Sequence, residues 1–179
     1  LKVKLISYTK SATTRPLKDI VKENIFNILK HSKLFSVSLE NSNVLDLYSG
    51  VGSFGLECLS RGAKKVKFVE GNNDAAKILK KNLFSLSLAK KSIVINNSVE
   101  NFTKSNLEEK YNIFFFDPPF KDKNIINILK KLKKNQIYNR KHIFIIHRER
   151  NSDDEIDKNF IVLFSKQYGR SKIIFGRFI

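Results

Sequence analysis

Short apolar runs alternate with segments of helical periodicity from Val44 onward, and this alternation restricts the fold more than any other feature of the sequence. The runs have the length of buried strands. The segments between them repeat apolar residues every three or four positions, as a helix covering a core does. Strands that alternate with helices form mostly parallel sheets with helices on both faces. We therefore predict an α/β fold with the strands Val44–Tyr48, Val66–Glu70, Ser92–Asn96, Ile113–Phe116 and His142–Ile146, and with the helices Ser53–Arg61, Asp74–Phe84 (N-cap Asn73) and Asn124–Lys133.

The C-terminal residues break this rhythm. Phe160–Tyr168 and Lys172–Phe178 are predicted strands joined by a short turn at residues 169–171, which is the pattern of a β-hairpin. One of the last strands is therefore expected to be antiparallel to its neighbours. A mostly parallel sheet that ends in a hairpin favours the Rossmann-like methyltransferase fold over a plain dinucleotide-binding fold.

The N-terminal segment differs from the rest of the chain. Leu17–Lys30 has the broad apolar stripe of an amphipathic helix and follows Pro16, a residue common at helix starts. The residues before Pro16 are basic and polar and form a predicted arm. We divide the chain into a basic arm with its helix, residues 1–34, and a methyltransferase domain, residues 35–179, which together form one compact unit.

The charge of the chain is strongly positive. Lys and Arg number 34 against 17 Asp and Glu, which gives a formal net charge of +17 over 179 residues. Such an excess attracts polyanions over a long range, so nucleic acid is the first partner to consider. An AT-rich genome offers another explanation, because the codons of Lys, Asn, Ile and Phe are all AT-rich.

The single cysteine, Cys58, excludes a disulfide framework and a cysteine-rich zinc site, and its place on a predicted helix indicates a small core residue. No apolar stretch approaches the roughly 20 residues of a membrane span, and no signal-peptide pattern is seen. We expect a reducing, cytoplasmic location and no membrane partner. Because the sequence has no Met, we also expect its N-terminus to be processed or trimmed.

A glycine loop follows the first predicted strand. Gly50, Gly52 and Gly55 form a G-x-G-x-x-G pattern between strand and helix, where glycines permit a tight turn and the close approach of a ligand. Glu70 ends the next strand, and an acid there can accept hydrogen bonds from both hydroxyls of a ribose. Asp46 disfavours a pyrophosphate nearby but is compatible with an α-ammonium group. The loop favours S-adenosylmethionine over a nicotinamide dinucleotide, with a structural turn that binds no ligand as the remaining alternative.

A second loop, Asp117-Pro118-Pro119-Phe120, follows the fourth predicted strand. In an open α/β sheet, ligands bind beyond the carboxyl ends of the strands where the strand order reverses, so both loops are expected at one crevice. The prolines lack N–H donors, and Asp117 and the neighbouring carbonyls can accept hydrogen bonds from a substrate amine. Phe120 can stack on a base. The loop indicates methylation of an exocyclic amine held in line with the sulfonium methyl group, and the alternative is a rigid turn with a core Phe.

With these two loops the sequence resembles the class I methyltransferases. It more closely resembles the RsmD family, bacterial enzymes that methylate N2 of one guanine in small-subunit (16S) ribosomal RNA. The resemblance covers nearly the whole chain, and its Arg-Pro and Phe-Asn-Ile-Leu combination is much more specific than the glycine loop. It is carried by Thr14-Arg15-Pro16, residues 21–29, residues 45–63, Val69-Glu70, residues 116–120 and Tyr168-Gly169.

The family implies a seven-stranded sheet and S-adenosylmethionine as the methyl donor. It also implies that Asp117–Phe120 lie at the guanine amine and that Asp46, Gly50, Gly52 and Glu70 lie at the cofactor. We also expect residues of the glycine loop, residues after the second and third strands, and Asp117 to bind the cofactor. They are Tyr48, Ser49, Gly71, Asn97, Ser98, Val99 and Asp117.

Three positions depart from the family pattern. Leu17 follows Pro16, where the family usually has Thr. Ser98 stands where many class I enzymes place an acid against the adenine amine, although Asn97 or Ser98 can still form a hydrogen bond with that amine. His147 follows the fifth strand, where the family often has Glu.

Basic residues cluster in the segment 121–150, where ten Lys or Arg meet only two acidic residues. Because this cluster begins at the second loop, we favour contact with RNA phosphates over a merely solvated helix face, with Lys121 and Lys123 as candidates. Arg15 is a further candidate for RNA or for the carboxylate of the cofactor. A helix cap or a surface ion pair is its alternative role.

The three histidines, His31, His142 and His147, have no metal-ligand spacing. We therefore predict no metal site. Surface or strand-edge positions are expected for these side chains rather than catalytic ones.

The leading hypothesis is guanine-N2 methylation of 16S ribosomal RNA by a monomer, within the 30S subunit or an assembly intermediate. An adenine-N6 methyltransferase acting on DNA or RNA is the alternative, because it shares the Asp-Pro-Pro-aromatic loop. DNA enzymes of that kind usually carry a separate target-recognition region, for which 179 residues leave little room. A third hypothesis is an RNA-binding module without catalysis, and the presence of Asp117 and Glu70 argues against it.

Overall fold

The computed structural model describes residues 19–32, 35–152, 156 and 159–179. Arg15, Pro16 and the predicted start of the first helix at Leu17 lie outside the described residues. The helices are α1 (Asp19–His31), α2 (Ser53–Ser60), α3 (Asn73–Ser85), α4 (Val99–Phe102) and α5 (Ile125–Lys134), with a 3₁₀ turn at Ala89–Lys91. The strands are β1 (Asn43–Leu47), β2 (Lys65–Val69), β3 (Ser92–Ile95), β4 (Tyr111–Phe116), β5 (Tyr138–Glu149), β6 (Phe160–Tyr168) and β7 (Ser171–Phe178).

These strands form a seven-stranded sheet in the order β3-β2-β1-β4-β5-β7-β6. Strands β1 to β5 pair in parallel, and β7 pairs antiparallel with both β5 and β6. The prediction of a mostly parallel sheet with a C-terminal antiparallel hairpin is confirmed. The strand order reverses between β1 and β4, so the open crevice of the fold lies beyond the carboxyl ends of these two strands.

Each face of the sheet carries its own apolar core, because successive strand residues point to opposite faces. In β4, Ile113 and Phe115 belong to the core shared with α1, α2 and α3, whereas Phe114 and Phe116 belong to the core shared with α4 and α5. Helices therefore cover both faces, as predicted. Cys58 is fully buried in the first core, which confirms its predicted role, and burial raises the pKa of its thiol.

The amphipathic helix predicted near the N-terminus is present as α1. Its Phe26 ring stacks on Phe54 of α2 with the centroids 5.2 Å apart, and the Arg61 guanidinium lies over the same Phe26 ring at 4.7 Å. This contact anchors α1 beside the helix that follows the glycine loop. The division of the chain at residue 34 stays a prediction. None of the described helices has the length and apolarity needed to cross a membrane.

Several local features differ from the prediction, among them the short helix α4, which was not predicted. Asn72 rather than Asn73 caps α3, because its side-chain oxygen accepts hydrogen bonds from the N–H groups of the second and third helical residues at 3.0 and 2.9 Å. Strand β5 begins at Tyr138 instead of His142, since pairing of Tyr138 with Tyr111 extends the ladder beyond the apolar run. The polar residues between them carry no periodic signal that would reveal a strand.

Candidate active site

A row of polar residues lies at the carboxyl edge of the sheet. The register aligns the last residues of β3, β2, β1 and β4 with Ile146 of β5. The next residue along the chain is polar in all five strands, so five polar side chains leave the sheet at one level. In sheet order they are Asn96, Glu70, Tyr48, Asp117 and His147.

The glycine loop between β1 and α2 requires glycine for different reasons at different positions. Gly50 and Gly52 have φ angles of 54° and 89°, in the left-handed region that favours glycine. A Cβ on Gly52 would overlap the side chain of Leu79, and a Cβ on Gly55 would overlap the ring of Phe68. A Cβ on Gly50 would meet no atom of the described residues within 4 Å. Gly50 therefore borders open space, where a ligand can approach the backbone.

Glu70 is held between the glycine loop and the start of α3, and only 9% of it is exposed. Its Oε2 accepts a hydrogen bond from the Gly50 N–H at 2.7 Å, and its Oε1 accepts one from the Asn72 N–H at 2.7 Å. The side chain of Asn96 donates to the Glu70 carbonyl at 3.0 Å. Each carboxylate oxygen has a second lone pair, so Glu70 can still accept hydrogen bonds from two neighbouring hydroxyls.

Asp46 lies deeper, in the body of β1, and 1% of it is exposed. Its Oδ2 accepts a hydrogen bond from the Gly55 N–H at 3.0 Å, whereas Oδ1 has no hydrogen-bond partner in the described part of the chain. Burial raises the pKa of this carboxyl well above its ordinary value, the Gly55 hydrogen bond lowers it, and the charges of Asp117 and Glu70 raise it. A buried acceptor without a partner calls for a proton or for a group from a ligand.

The turn after β3 lies beside Glu70. Ser98 caps α4 by accepting a backbone N–H of that helix at 3.2 Å, and Asn97 Oδ1 accepts the Ser98 N–H at 2.8 Å. Gly71 faces this turn, since a Cβ on it would lie 3.6 Å from Ser98 Cα. Val99 is buried at the start of α4. These predicted cofactor-binding residues are therefore close together, and their contact with a cofactor stays a prediction.

Tyr48 and Ser49 begin the glycine loop. Tyr48 has a φ of 59°, and its hydroxyl donates to Glu100 Oε1 at 3.3 Å. Burial raises the pKa of this phenol, and the carboxylates of Asp122 and Glu100 raise it further. Ser49 donates to the Val69 carbonyl through its N–H at 3.1 Å and its hydroxyl at 3.3 Å. These two residues tie the loop to its surroundings, while their predicted contact with a cofactor stays a prediction.

A buried arginine holds the loop that follows β4. Arg148 of β5 is 2% exposed and donates to the Pro119 carbonyl at 3.3 Å and to the Asp122 carbonyl at 2.7 Å. The Asp122 N–H also donates to the Pro119 carbonyl, at 2.8 Å, and the Asp117 N–H donates to the Leu47 carbonyl at 3.3 Å. Both lone pairs of the Pro119 carbonyl are therefore engaged within the loop. The Pro119 carbonyl is therefore not free for an amine of a substrate, whereas the Asp117 side chain can still accept from one.

The expectation of a surface or strand-edge position is wrong for His147. This residue is 6% exposed, and β5 lies inside the sheet between β4 and β7. Its Nδ1 lies 2.7 Å from Asp117 Oδ1, and its Nε2 lies 2.9 Å from Ser171 Oγ. The Phe120 ring meets the imidazole edge-on, with the centroids 5.8 Å apart. Both ring nitrogens are engaged at the candidate site because the neighbouring strands supply polar partners there.

The other two histidines lie away from this site. His31 is exposed at the end of α1. His142 is half-buried, donates to the Asn139 carbonyl at 2.7 Å and accepts the Phe178 N–H at 3.0 Å. Burial is the main reason that the pKa of His142 is lowered. Within the described residues, no group of three or more His, Cys, Asp or Glu side chains could hold a metal ion.

The structure brings both predicted loops to one edge of the sheet and adds three residues that the sequence did not suggest. For His147, the departure from the usual family residue could have indicated a role at the site. For Arg148, the indication was a charged residue close after an apolar run. Ser171 gave no signal. Lys121 and Lys123 are exposed just beyond Phe120, Pro118 is buried and Pro119 is exposed, and Arg15 lies outside the described residues.

The sequence profile of a family described as Conserved hypothetical protein 95 matches residues 1–177. A relative from Haemophilus influenzae, named Ribosomal RNA small subunit methyltransferase D, is 41% identical over 108 residues, which cover 59% of this chain and 53% of the relative. A relative of the same name from Buchnera aphidicola subsp. Baizongia pistaciae is 33% identical over 134 residues, which cover 73% of this chain and 64% of the relative. The alignments thus span less than two-thirds of these relatives.

The fold of the chain is also found in solved structures. A candidate methyltransferase from Escherichia coli, yhhF, superposes with a TM-score of 0.80 at 25% sequence identity. The superposition covers 94% of this chain and 90% of that one. The architecture described above is therefore a methyltransferase architecture over nearly its whole length.

Proposed function

The chain belongs to the RsmD family, whose profile matches it over residues 1–177, and on that premise we propose that it transfers a methyl group from S-adenosylmethionine to N2 of a guanine in 16S ribosomal RNA. One observation carries the proposal. The Asp117 carboxylate follows β4 at the reversal of strand order, beside a glycine loop that borders open space at Gly50. A donor and an acceptor amine can meet there because the two loops leave adjacent strands.

The residues around the glycine loop fit the proposed donor. The Glu70 carboxylate has lone pairs left for two ribose hydroxyls. The buried Oδ1 of Asp46, which no described residue satisfies, is suited to the α-ammonium group of the methionine moiety, directly or through a water. Asn97 and Ser98 lie where they can contact the adenine. When bound, the donor supplies an electrophilic methyl group on its sulfonium.

The acceptor amine is placed by the second loop. Asp117 Oδ1 faces His147, which leaves Oδ2 to accept a hydrogen bond from the guanine amine. The half-buried Phe120 ring offers a face on which the base can stack. The loop is rigid because Arg148 and the two prolines restrict it. Such a site promotes transfer by orienting the nitrogen toward the methyl carbon.

The proposed nucleic-acid partner agrees with the charge of the chain. The excess of 34 basic over 17 acidic residues favours a polyanion, and Lys121 and Lys123 are exposed next to Phe120. We place RNA phosphates at these two lysines and at Arg15 in the arm of residues 1–34. The names of the relatives point to the small ribosomal subunit. We propose that a cytoplasmic monomer acts on the 30S subunit or on an assembly intermediate.

The test incubates the protein with isotopically labelled donor and with small subunits from a strain that lacks the activity, followed by nucleoside analysis of the RNA. We expect label in N2-methylguanosine. Subunits from the parent strain, which already carry the methyl group, serve as a matched acceptor and should remain unlabelled. Protein with Asp117→Ala should label neither.

The outcomes separate the candidate functions. Label in N6-methyladenosine would overturn the guanine assignment and favour an adenine-N6 methyltransferase, which shares the Asp-Pro-Pro-aromatic loop. Binding of subunits without label in any nucleoside would favour an RNA-binding module. Parallel reactions with naked 16S RNA show whether the assembled particle is required.

A further inference from the structure

His147 is held by two different elements and is screened from the crevice. Its Nδ1 lies 2.7 Å from Asp117 Oδ1 in the loop after β4, and its Nε2 lies 2.9 Å from Ser171 Oγ at the start of β7. The exposed fraction of its side chain is 8%, against 21% for Asp117. Asp117 is therefore accessible to an acceptor base, whereas His147 lies behind it. His147 can therefore act on the acceptor only through its neighbours, and of these Asp117 is the one it binds by a hydrogen bond, while the Phe120 ring meets it edge-on.

We propose that His147 is a positioning residue that holds the Asp117 carboxylate in one rotamer, with Oδ1 bound to the imidazole and Oδ2 directed at the acceptor amine. This inference rests on the proposed function, because it specifies how the acceptor-binding carboxylate is oriented. It adds a third residue, Ser171, which acts on the acceptor through His147.

The contacts of the imidazole define which nitrogen carries the proton. A carboxylate only accepts hydrogen bonds, so the short contact to Asp117 requires an N–H at Nδ1. The Ser171 hydroxyl can donate to Nε2 of a neutral ring, and it can accept from Nε2 of a protonated ring. In either state Ser171 is compatible with the N–H at Nδ1. The Asp117 carboxylate thus sets the tautomer, Ser171 holds the far side of the ring, and the imidazole in turn holds the carboxylate.

The support behind the imidazole is rigid. Ile146, directly before His147, pairs with Phe116 of β4, and His147 itself pairs with Ile173 of β7. The backbone of His147 is therefore fixed by strands on both sides. Asp117, in contrast, stands on a loop and has two side-chain torsions. An anchor on a central strand is what such a loop residue needs to stay within the narrow geometry of a transfer reaction.

The first experiment is a double-mutant cycle in the full chain, with His147→Leu, Asp117→Asn and the double variant. We expect His147→Leu to lower kcat by about 100-fold, the loss typical of a displacement of about 1 Å, while the donor Kd changes by less than about threefold. In the Asp117→Asn background the same substitution should cause a smaller loss, because the imidazole binds a neutral amide oxygen less strongly than a carboxylate. Additive losses would overturn the proposal.

Two further variants separate positioning from a merely structural role. His147→Asn keeps an N–H donor near the place of Nδ1, so we expect it to restore kcat to within about tenfold of the wild-type value. His142→Asn alters a histidine of the same strand whose ring bonds to the Asn139 carbonyl and the Phe178 N–H, away from Asp117, and it serves as the matched control. It should lower the melting temperature without lowering kcat. Equal kcat losses for His142→Asn and His147→Leu would overturn the proposal.

The ring nitrogens give a readout that does not depend on turnover. With three histidines in the chain, their ¹⁵N resonances can be assigned by single substitutions. We expect His147 to carry a proton on Nδ1 and its resonances to shift on Asp117→Asn, with those of His142 unchanged. An unprotonated Nδ1 would overturn the proposal, because such a nitrogen cannot donate to a carboxylate.

This inference and the proposed function fail separately. If the wild-type protein labels a nucleoside other than guanosine, the guanine assignment is wrong. The double-mutant cycle is then measured as methyl transfer to the nucleoside that is labelled. If His147→Leu transfers methyl groups as fast as the wild type, the positioning role is wrong whichever nucleoside is labelled. If no nucleoside is labelled, the ¹⁵N measurement still decides the His147–Asp117 contact.

Discussion

Asp117 and Glu70 are both acids at the carboxyl edge of the sheet, and their surroundings give them different tasks. Glu70 accepts two backbone N–H groups and is nearly enclosed, whereas Asp117 is more open and has an imidazole on one side only. We expect Asp117→Ala to abolish transfer while the donor Kd stays within about tenfold, since we assign its carboxylate to the acceptor and not to the donor. Single-turnover transfer and calorimetric titration of the donor measure the two effects. Loss of donor binding would contradict the role assigned to Asp117.

Arg148 of β5 stabilises the loop of residues 117–122 after β4, which we call the acceptor loop. Its guanidinium donates to two carbonyls of this loop at once. Lysine keeps the charge but presents a single ammonium group, which cannot reproduce the planar fork. We expect Arg148→Lys to reduce the free energy of unfolding by about 1–3 kcal/mol, the cost of a buried carbonyl left without its donor. Urea unfolding measures the change. Arg150→Lys, at an exposed position two residues later, is the matched control and should unfold like the wild type.

Among the connecting elements, the glycine loop and the turn of the C-terminal hairpin each contain a glycine with nearly the same φ angle. Gly50 and Gly169 have φ angles of 54° and 56°, and a Cβ on either would meet nothing within 4 Å in the described structure. We expect Gly50→Ala and Gly169→Ala to lower the free energy of unfolding by a similar amount, about 1–2 kcal/mol, through backbone strain alone. Thermal unfolding of the two variants makes this comparison.

Only one of these two substitutions should affect the donor. Gly50 borders the space proposed for S-adenosylmethionine, so a methyl group there should weaken donor binding at least about tenfold, whereas Gly169→Ala should leave the donor Kd unchanged. Calorimetric titration distinguishes them. Equal donor affinities for the two variants would show that the donor does not approach Gly50.

An ionic network joins β2 and β4 at the opposite end of the sheet. Glu109 accepts hydrogen bonds from Lys65 and Tyr111 at 2.9 Å each and also pairs with Lys67. The hydrogen bonds from Lys67 and Lys65 are the main cause of a lowered pKa of Glu109, about 2 against an ordinary 4.5. A depressed carboxyl pKa stabilises the fold above the ordinary value, and this stabilisation is lost as the pH falls from about 4.5 toward 2.

We therefore expect Glu109→Gln to be less stable than the wild type at neutral pH and to approach it as the solution is acidified. Because the Glu109 side chain is 42% exposed, solvent screening limits the neutral-pH difference to less than about 1 kcal/mol. Melting temperatures of both proteins between about pH 7 and pH 3 test this expectation, because that range spans the ordinary carboxyl pKa of 4.5. Glu108→Gln, at the exposed neighbouring position, should show no such convergence. A constant difference across the range would assign the effect to something other than ionisation.

The elements were largely predictable because their signals are local. The apolar runs of β1, β2 and β4 end where the strands end, so the loops that follow them could be placed at one edge of the sheet. The four-residue helix α4 was missed because it is too short to show a period, and the first residues of β5 were missed because they are polar. The contacts of His147 and Arg148 could not be predicted, since their partners come from β7 and from the loop after β4, far along the chain.

Considered as one molecule, the protein has different residues at the two ends of its parallel strands. The candidate site residues lie at the carboxyl edge of the sheet, whereas the residues at the amino edge stabilise the fold. The glycine loop and the acceptor loop leave the sheet at the level of Asp117, whereas the Glu109 network closes the amino edge. In the proposed function, a ribosomal subunit approaches the carboxyl edge. The positive charge, in contrast, is spread over the chain, so total charge alone does not indicate which lysines contact RNA.

Salt dependence can show which edge faces the RNA. Each phosphate contact with single-stranded RNA contributes about −0.7 to the slope of log K against log salt, so loss of two contacts should make the slope less steep by about 1.4. We expect this from the double variant Lys121→Gln/Lys123→Gln, measured by binding to small subunits at several salt concentrations. Lys64→Gln/Lys110→Gln removes the same charge from exposed positions just before β2 and β4, at the opposite edge, and is the matched control. Because those positions do not face the proposed RNA, the slope of log K against log salt for this control variant should stay near the wild-type value. If the slope became less steep by the same amount in both double variants, the RNA would be attracted by the net charge and not by the carboxyl edge.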